Sequence, residues 1–177
     1  MKSSATISKC GKYRYDLCRI WDSSKPYLMF IGLNPSTADH ETDDPTIKRC
    51  ISFAKKLGFG GMYMCNLFAF RATRPSDLFA EDNPIGIDND LYIKKNSDEA
   101  GMVIVAWGSK GVHFGRYKNV LDLIDNELFV LDINKSGQPK HPLYMETIKL
   151  WGIHMQQLPL SNNAPFRRLI LCPDTSA

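Results

Sequence analysis

Apolar residues along this chain fall into short runs separated by polar turns, and two periods are visible. Residues 12–21, KYRYDLCRIW, alternate polar and apolar positions in their second half and are rich in aromatics, which predicts a strand. After the turn SSKP, the run YLMFIG (27–32) is apolar without alternation, the pattern of a strand covered on both faces. GMYMCNLFAF (61–70), GMVIVAWG (101–108) and ELFVLDI (127–133) are further apolar strands, and MQQLPL (155–160) is a weaker one. Helical spacing lies between them. Over residues 43–58, Ile47, Cys50, Ile51, Ala54 and Leu57 make one apolar face. Asp44 is placed to cap that helix, Pro45 to open it and Gly58 to stop it. Further helices are expected over 88–99, over about 113–126, where Val120, Leu121 and Ile124 support one, and over 144–151. Residues 71–90 read as irregular with one helical turn around 76–79, and the last few residues are expected to fray.

Strands thus alternate with helices, the pattern of an α/β domain with a mostly parallel sheet and helices on both faces. The 177 residues suit a single domain, with a core over about 13–160. Net charge is +3, which permits a polyanionic partner without demanding one. No apolar run approaches the ~20 residues of a membrane span, and MKSSATISKCGKY has no signal-peptide core, so a cytoplasmic protein is expected. The five cysteines, at 10, 18, 50, 65 and 172, show no CxxC and read as reduced thiols, with Cys50 and Cys65 in the core.

Each parallel strand would end in an unusual polar stretch: Gly32-Leu33-Asn34-Pro35-Ser36, then Asn66 and FRATRP, then Trp107-Gly108-Ser109-Lys110-Gly111, then NKSGQPKHP. In a parallel sheet these segments share one rim, where sites lie. Each also has a plainer reading. GLNPS can be a turn before a helix, and WGSKG either a tight turn or a glycine loop that holds an anion. His40, His113 and His154 read as surface or structural, whereas His141 sits in a loop that can aim it into a cleft. The acidic group Asp39, Glu41, Asp43 and Asp44 can bind a hard cation, but a solvated loop plus a helix cap explains it more simply. HExxH, GxSxG, GxGxxG and P-loop patterns are missing, which argues against a zincin, an α/β-hydrolase, a dinucleotide enzyme or a nucleotide P-loop. No cofactor and no metal are expected.

GLNPSTAD, DDPTIKRC, NLFAFRAT, VAWG and PKHPLY together resemble a bacterial and phage domain family described only as a domain of unknown function, over about 13–160. That family in turn resembles a branch of the uracil-DNA glycosylase-like superfamily. Gly32-Leu33-Asn34-Pro35 is similar to its first motif, CNLFAFRATRP to its second strand end, VAWGSKG to its third, and His141-Pro142 to its final loop. The resemblance implies a three-layer αβα sandwich with about four core strands, and hydrolysis of the N-glycosidic bond of a modified or damaged base in nucleic acid.

In that scheme Asn34 places the water and His141 stabilises the leaving base. Substrate would be held by Gly32, Leu33, Pro35, Ser36, Asn66 and Trp107, and by Gly108 and Ser109. Arg71, Arg74 and Lys140 would meet phosphates. Asn34 stands where the uracil-excising members have Asp, so two other readings stay open. One is a non-catalytic nucleic-acid or nucleotide-binding module. The other is a hydrolase of free nucleosides or nucleotides, with the acidic loop holding a metal. The expected partner is accordingly nucleic acid, DNA first, or a small molecule carrying a nucleobase.

Overall fold

The structure, a computed structural model, describes residues 1–145 and the backbone of Ile153–Gln157 and Phe166–Leu171. Its strands are β1 (Lys2–Ile7), β2 (Arg14–Ile20), β3 (Tyr27–Gly32), β4 (Gly61–Asn66), β5 (Met102–Val105), β6 (Leu128–Val130), β7 (Ile153–Gln157) and β8 (Phe166–Leu171). The α-helices are α1 (Pro45–Lys56), α2 (Pro75–Phe79), α3 (Asn89–Glu99) and α4 (Arg116–Leu123). The strands form one mixed sheet in the order β1-β2-β4-β3-β5-β6-β8-β7. Strands β4, β3, β5, β6 and β8 run parallel, as expected of the centre. β1, β2 and β7 run antiparallel to their neighbours, which the alternation of strands and helices did not predict.

The reason is loop length. β1 and β2 are joined by the tight turn 8–13, closed by Ser8 N to Tyr13 O at 2.9 Å, and so short a connection permits only an antiparallel pair. β1 itself lies in a polar segment that predicts no strand. β8 has no counterpart in the sequence reading either.

Both faces of the sheet are covered. Along β3, Leu28 and Phe30 pack towards Ile47, Cys50 and Phe53 of α1. Met29 and Ile31 pack on the opposite side with Leu78 of α2, Ile93 of α3 and Val120 of α4. Two buried faces require apolar residues at every position, hence the uninterrupted run YLMFI. Each such side chain contributes about 1.5–3 kcal/mol of transfer free energy.

α1 forms as its sequence predicts. Asp44 Oδ1 accepts the Ile47 N–H at 2.9 Å, and Gly58 follows the helix at φ +82°. The helix expected over 113–126 is shorter. A 3-10 segment, Ser109–Gly115, is kinked within itself and ends in positive φ at Phe114 (54°) and Gly115 (65°) before α4 starts. Trp107 packs tightly on this segment: a Cβ on Gly111 would lie 1.9 Å from its Cδ1. All but the first two residues of the helix expected over 144–151 lie outside the described residues.

Candidate functional site

A cavity of about 500 Å³ opens at the carboxyl ends of β3, β4 and β5. It is walled by the loops after these strands, the loop after β6, and the starts of β2 and α1. The predicted rim is therefore real, with two additional walls.

After β3 the chain does not turn freely. Leu67 N bonds Gly32 O at 2.9 Å, Phe68 N bonds Leu33 O at 3.0 Å, and Ala72 N bonds Pro35 O at 2.9 Å. The Asn34 side chain completes this seam, donating from Nδ2 to Pro35 O at 2.9 Å and Ala72 O at 2.8 Å. Both partners are acceptors, so the amide orientation is set and only Oδ1 is left to meet a ligand. Asn34 lines the cavity but also clamps two of its loops together.

Asn66 ends β4. It is 1% exposed, it lines the cavity, and neither Nδ2 nor Oδ1 has a hydrogen-bond partner. Buried amides are normally satisfied, and leaving one bare costs about 1–3 kcal/mol per group. Gly32 makes the room for it, since a Cβ there would lie 2.8 Å from Asn66 Oδ1 and 2.7 Å from Met64 Cε. The glycine of GLNP thus serves the asparagine of the neighbouring strand.

Beyond β5, Trp107 lines the cavity and donates Nε1–H to Gln138 Oε1 at 2.9 Å, while Gly108, at φ +74°, bonds Pro139 O at 2.9 Å. This bond brings the loop carrying His141 against the β5 loop. His141 Nδ1 accepts the Leu143 N–H at 3.3 Å, which puts the proton of the neutral ring on Nε2. Burial pushes the imidazole pKa below its usual 6.5, opposed by the Asp44 carboxylate. His141 is therefore a neutral N–H donor at pH 7.

The two walls that sequence reasoning missed carry charge. β2 runs antiparallel to β4, so its first residue, Arg14, lies at the rim. The pairing of β1 with β2 shifts register there: Thr6 faces Asp16, Ile7 faces Arg14, and Tyr15 is the extra residue of a β-bulge. Tyr15 stacks on Tyr92 of α3 and Asp16 bonds Asn96 of α3, whereas Arg14 turns to the α1 side. Asp44, read in the sequence as a cap, does cap α1 and also lines the cavity.

Of the remaining predicted residues, Leu33, Ser36 and Ser109 line the cavity, whereas Pro35, Arg71 and Lys140 do not. Arg71 reaches Gly11 O at 3.3 Å, and Lys140 lies 3.7 Å from Asp132. Arg74 pairs with Asp77 on α2. In the acidic loop Asp44 caps α1 as expected, whereas Asp43 is not simply solvated. Asp39 accepts from Glu41 N and Thr42 N, Asp43 pairs with Arg19 at 2.8 Å, and among the described residues no His, Cys, Asp or Glu cluster suits a metal.

The model of one protein family matches residues 14–143, from the first residue of β2 to the turn after His141. The chain belongs to the DUF1643 family, described as proteins of unknown function. The DUF1643 match spans every wall of the cavity up to His141. No curated protein and no solved structure matches the chain.

Proposed function

We propose that the cavity takes a nucleobase, and that the protein hydrolyses the N-glycosidic bond to that base in the manner of the uracil-DNA glycosylase-like superfamily. Asn66 carries this reading. A bare primary amide offers one donor and one acceptor side by side, complementary to the hydrogen-bonding edge of a base, on a residue that lines a cavity large enough for it.

The other groups fit the reaction. In the transition state the sugar becomes cationic and the departing base anionic. The Nε2–H of neutral His141 is suited to a base oxygen that gains negative charge. Asn34 is an amide and cannot take a proton from water as a carboxylate can, so we assign that step to the Asp44 carboxylate. Water attacks the anomeric carbon as the C–N bond breaks, one water proton passes to Asp44, and that proton later returns to the free base.

The commitment of Asn34 to its loops also favours a second reading, a module that binds the base without cleaving it. One experiment separates them. Oligonucleotides carrying uracil, mismatched thymine, hypoxanthine or hypermodified pyrimidines, and free nucleosides, are incubated with the protein, and released base is measured. Turnover is expected on one of them, reduced by about 10²–10⁴ in Asp44→Asn, which keeps the helix cap. Binding without release would leave the module, and neither release nor binding would remove both readings.

A further inference from the structure

Three arginines are nearly inaccessible among the described residues: Arg14 at 2%, Arg19 at 1% and Arg116 at 4%. A buried guanidinium needs a countercharge, because an unpaired ion in the interior costs several kcal/mol. Two of the three have one. Arg19 meets Asp43 at 2.8 Å and bonds the carbonyls of Cys18 and Asp39. Arg116 pairs with Asp90 and donates to Leu67 O at 3.0 Å.

Arg14 has none. Its Nη1 donates to Ala38 O at 2.8 Å, its Nε is buried without a partner, and no carboxylate among the described residues lies within 4.0 Å. Burial lowers its pKa to about 10, partly offset by the field of Asp44, so it stays charged at pH 7. It is also the one of the three that lines the cavity. The bulge at Tyr15 holds it on that side.

We propose that Arg14 anchors an anion subsite in the cavity, which takes a terminal phosphate monoester carried by the ligand. Ser36 and Thr46 line the same cavity and supply hydroxyl donors. Thr46 also stands in the first turn of α1, where N–H groups have no intrahelical acceptor and favour an anion. Asp44 opposes an anion, but one of its oxygens accepts the Ile47 N–H. A phosphodiester would have to thread the strand past a residue that is 2% exposed, whereas a terminal phosphate enters end-on. The base reading of Asn66 then narrows the ligand to a nucleoside monophosphate. That narrowing rests on the proposed function, but the subsite itself does not.

The test uses the full chain and calorimetric titration with common ribo- and deoxyribonucleoside 5′-monophosphates, their nucleosides, and oligonucleotides with and without a 5′-phosphate. Thermal unfolding with inorganic phosphate is a separate arm. A monophosphate is expected to bind at least about tenfold tighter than its nucleoside. That advantage should vanish in Arg14→Gln and shrink in Thr46→Val, and phosphate should raise Tm in the parent but not in Arg14→Gln. A comparable gain from the 5′-phosphate of an oligonucleotide would identify a strand end as the source, and its absence a free nucleotide.

Equal binding of nucleoside and monophosphate, with no effect of inorganic phosphate, overturns the subsite and leaves the base reading intact. Arg14-dependent phosphate binding without nucleoside binding keeps the subsite and removes the base reading. If Arg14→Gln does not fold, the nucleotide–nucleoside comparison in the parent and the Thr46→Val variant decide the matter.

Discussion

Asn66 is a residue whose role depends on what is missing around it. Its position after an apolar strand marks it in the sequence, but the bare amide does not, because hydrogen-bond satisfaction depends on distant neighbours. Arg14 shows the same limit, since RYDLCRI reads only as a strand. Gly32 ties the two scales together. Gly32→Ala would drive a methyl group into Asn66 Oδ1 and Met64 Cε, at 2.8 and 2.7 Å. The expected cost is about 1–3 kcal/mol in urea unfolding, with the proposed base binding lost as Asn66 is displaced. An unchanged urea midpoint would show that the strand ends yield easily, contrary to the close packing described.

At the level of elements, local signals did well where an element is autonomous. α1 carries its own cap, its own stop and one apolar face, and it forms over the expected residues. α4 starts late because positive φ at Phe114 and Gly115 breaks the helical path before Arg116, with no signature in the local apolar period. The loop before α1 is held by Arg19, which links β2 to Asp43 and to the carbonyl of Asp39. Arg19→Met should therefore cost about 3–5 kcal/mol, since it leaves a carboxylate and several carbonyls without their donor. Chemical denaturation measures this directly, and a loss below about 1 kcal/mol would mean that water replaces the guanidinium. Asp39, Glu41, Asp43 and Asp44 look like one acidic cluster in the sequence. In the fold they diverge, because each oxygen is drawn to the nearest donor.

For the whole molecule, the parallel centre was legible and the antiparallel margins were not, because strand direction depends on which neighbour a strand finds. The rim of the site was legible for the same reason the centre was. Its charged walls, Arg14 and Asp44, came from elements outside the parallel set. A pH effect belongs at this scale. Burial holds His141 below 6.5 in the folded state, so the unfolded chain binds that proton more readily. This contribution is fully present above about pH 6.5 and declines as pH falls through that value towards the folded pKa. The urea midpoint should accordingly drop between about pH 7.5 and 5.5, and His141→Gln should flatten the slope. Asp22 and Asp39 also have lowered pKa values, but they titrate below 3.8, outside this window.

The bulge at Tyr15 has a consequence away from the cavity. β1 is the outermost strand of its side of the sheet, and a long flat edge invites pairing with another chain. The extra residue in β2 breaks the β1–β2 ladder between Thr6 and Ile7, which limits the regular edge to Lys2–Thr6 and adds local twist at its end. Lys2 at its outer end adds charge. The same inserted residue that turns Arg14 inward thus also ends the regular edge that another chain could pair with.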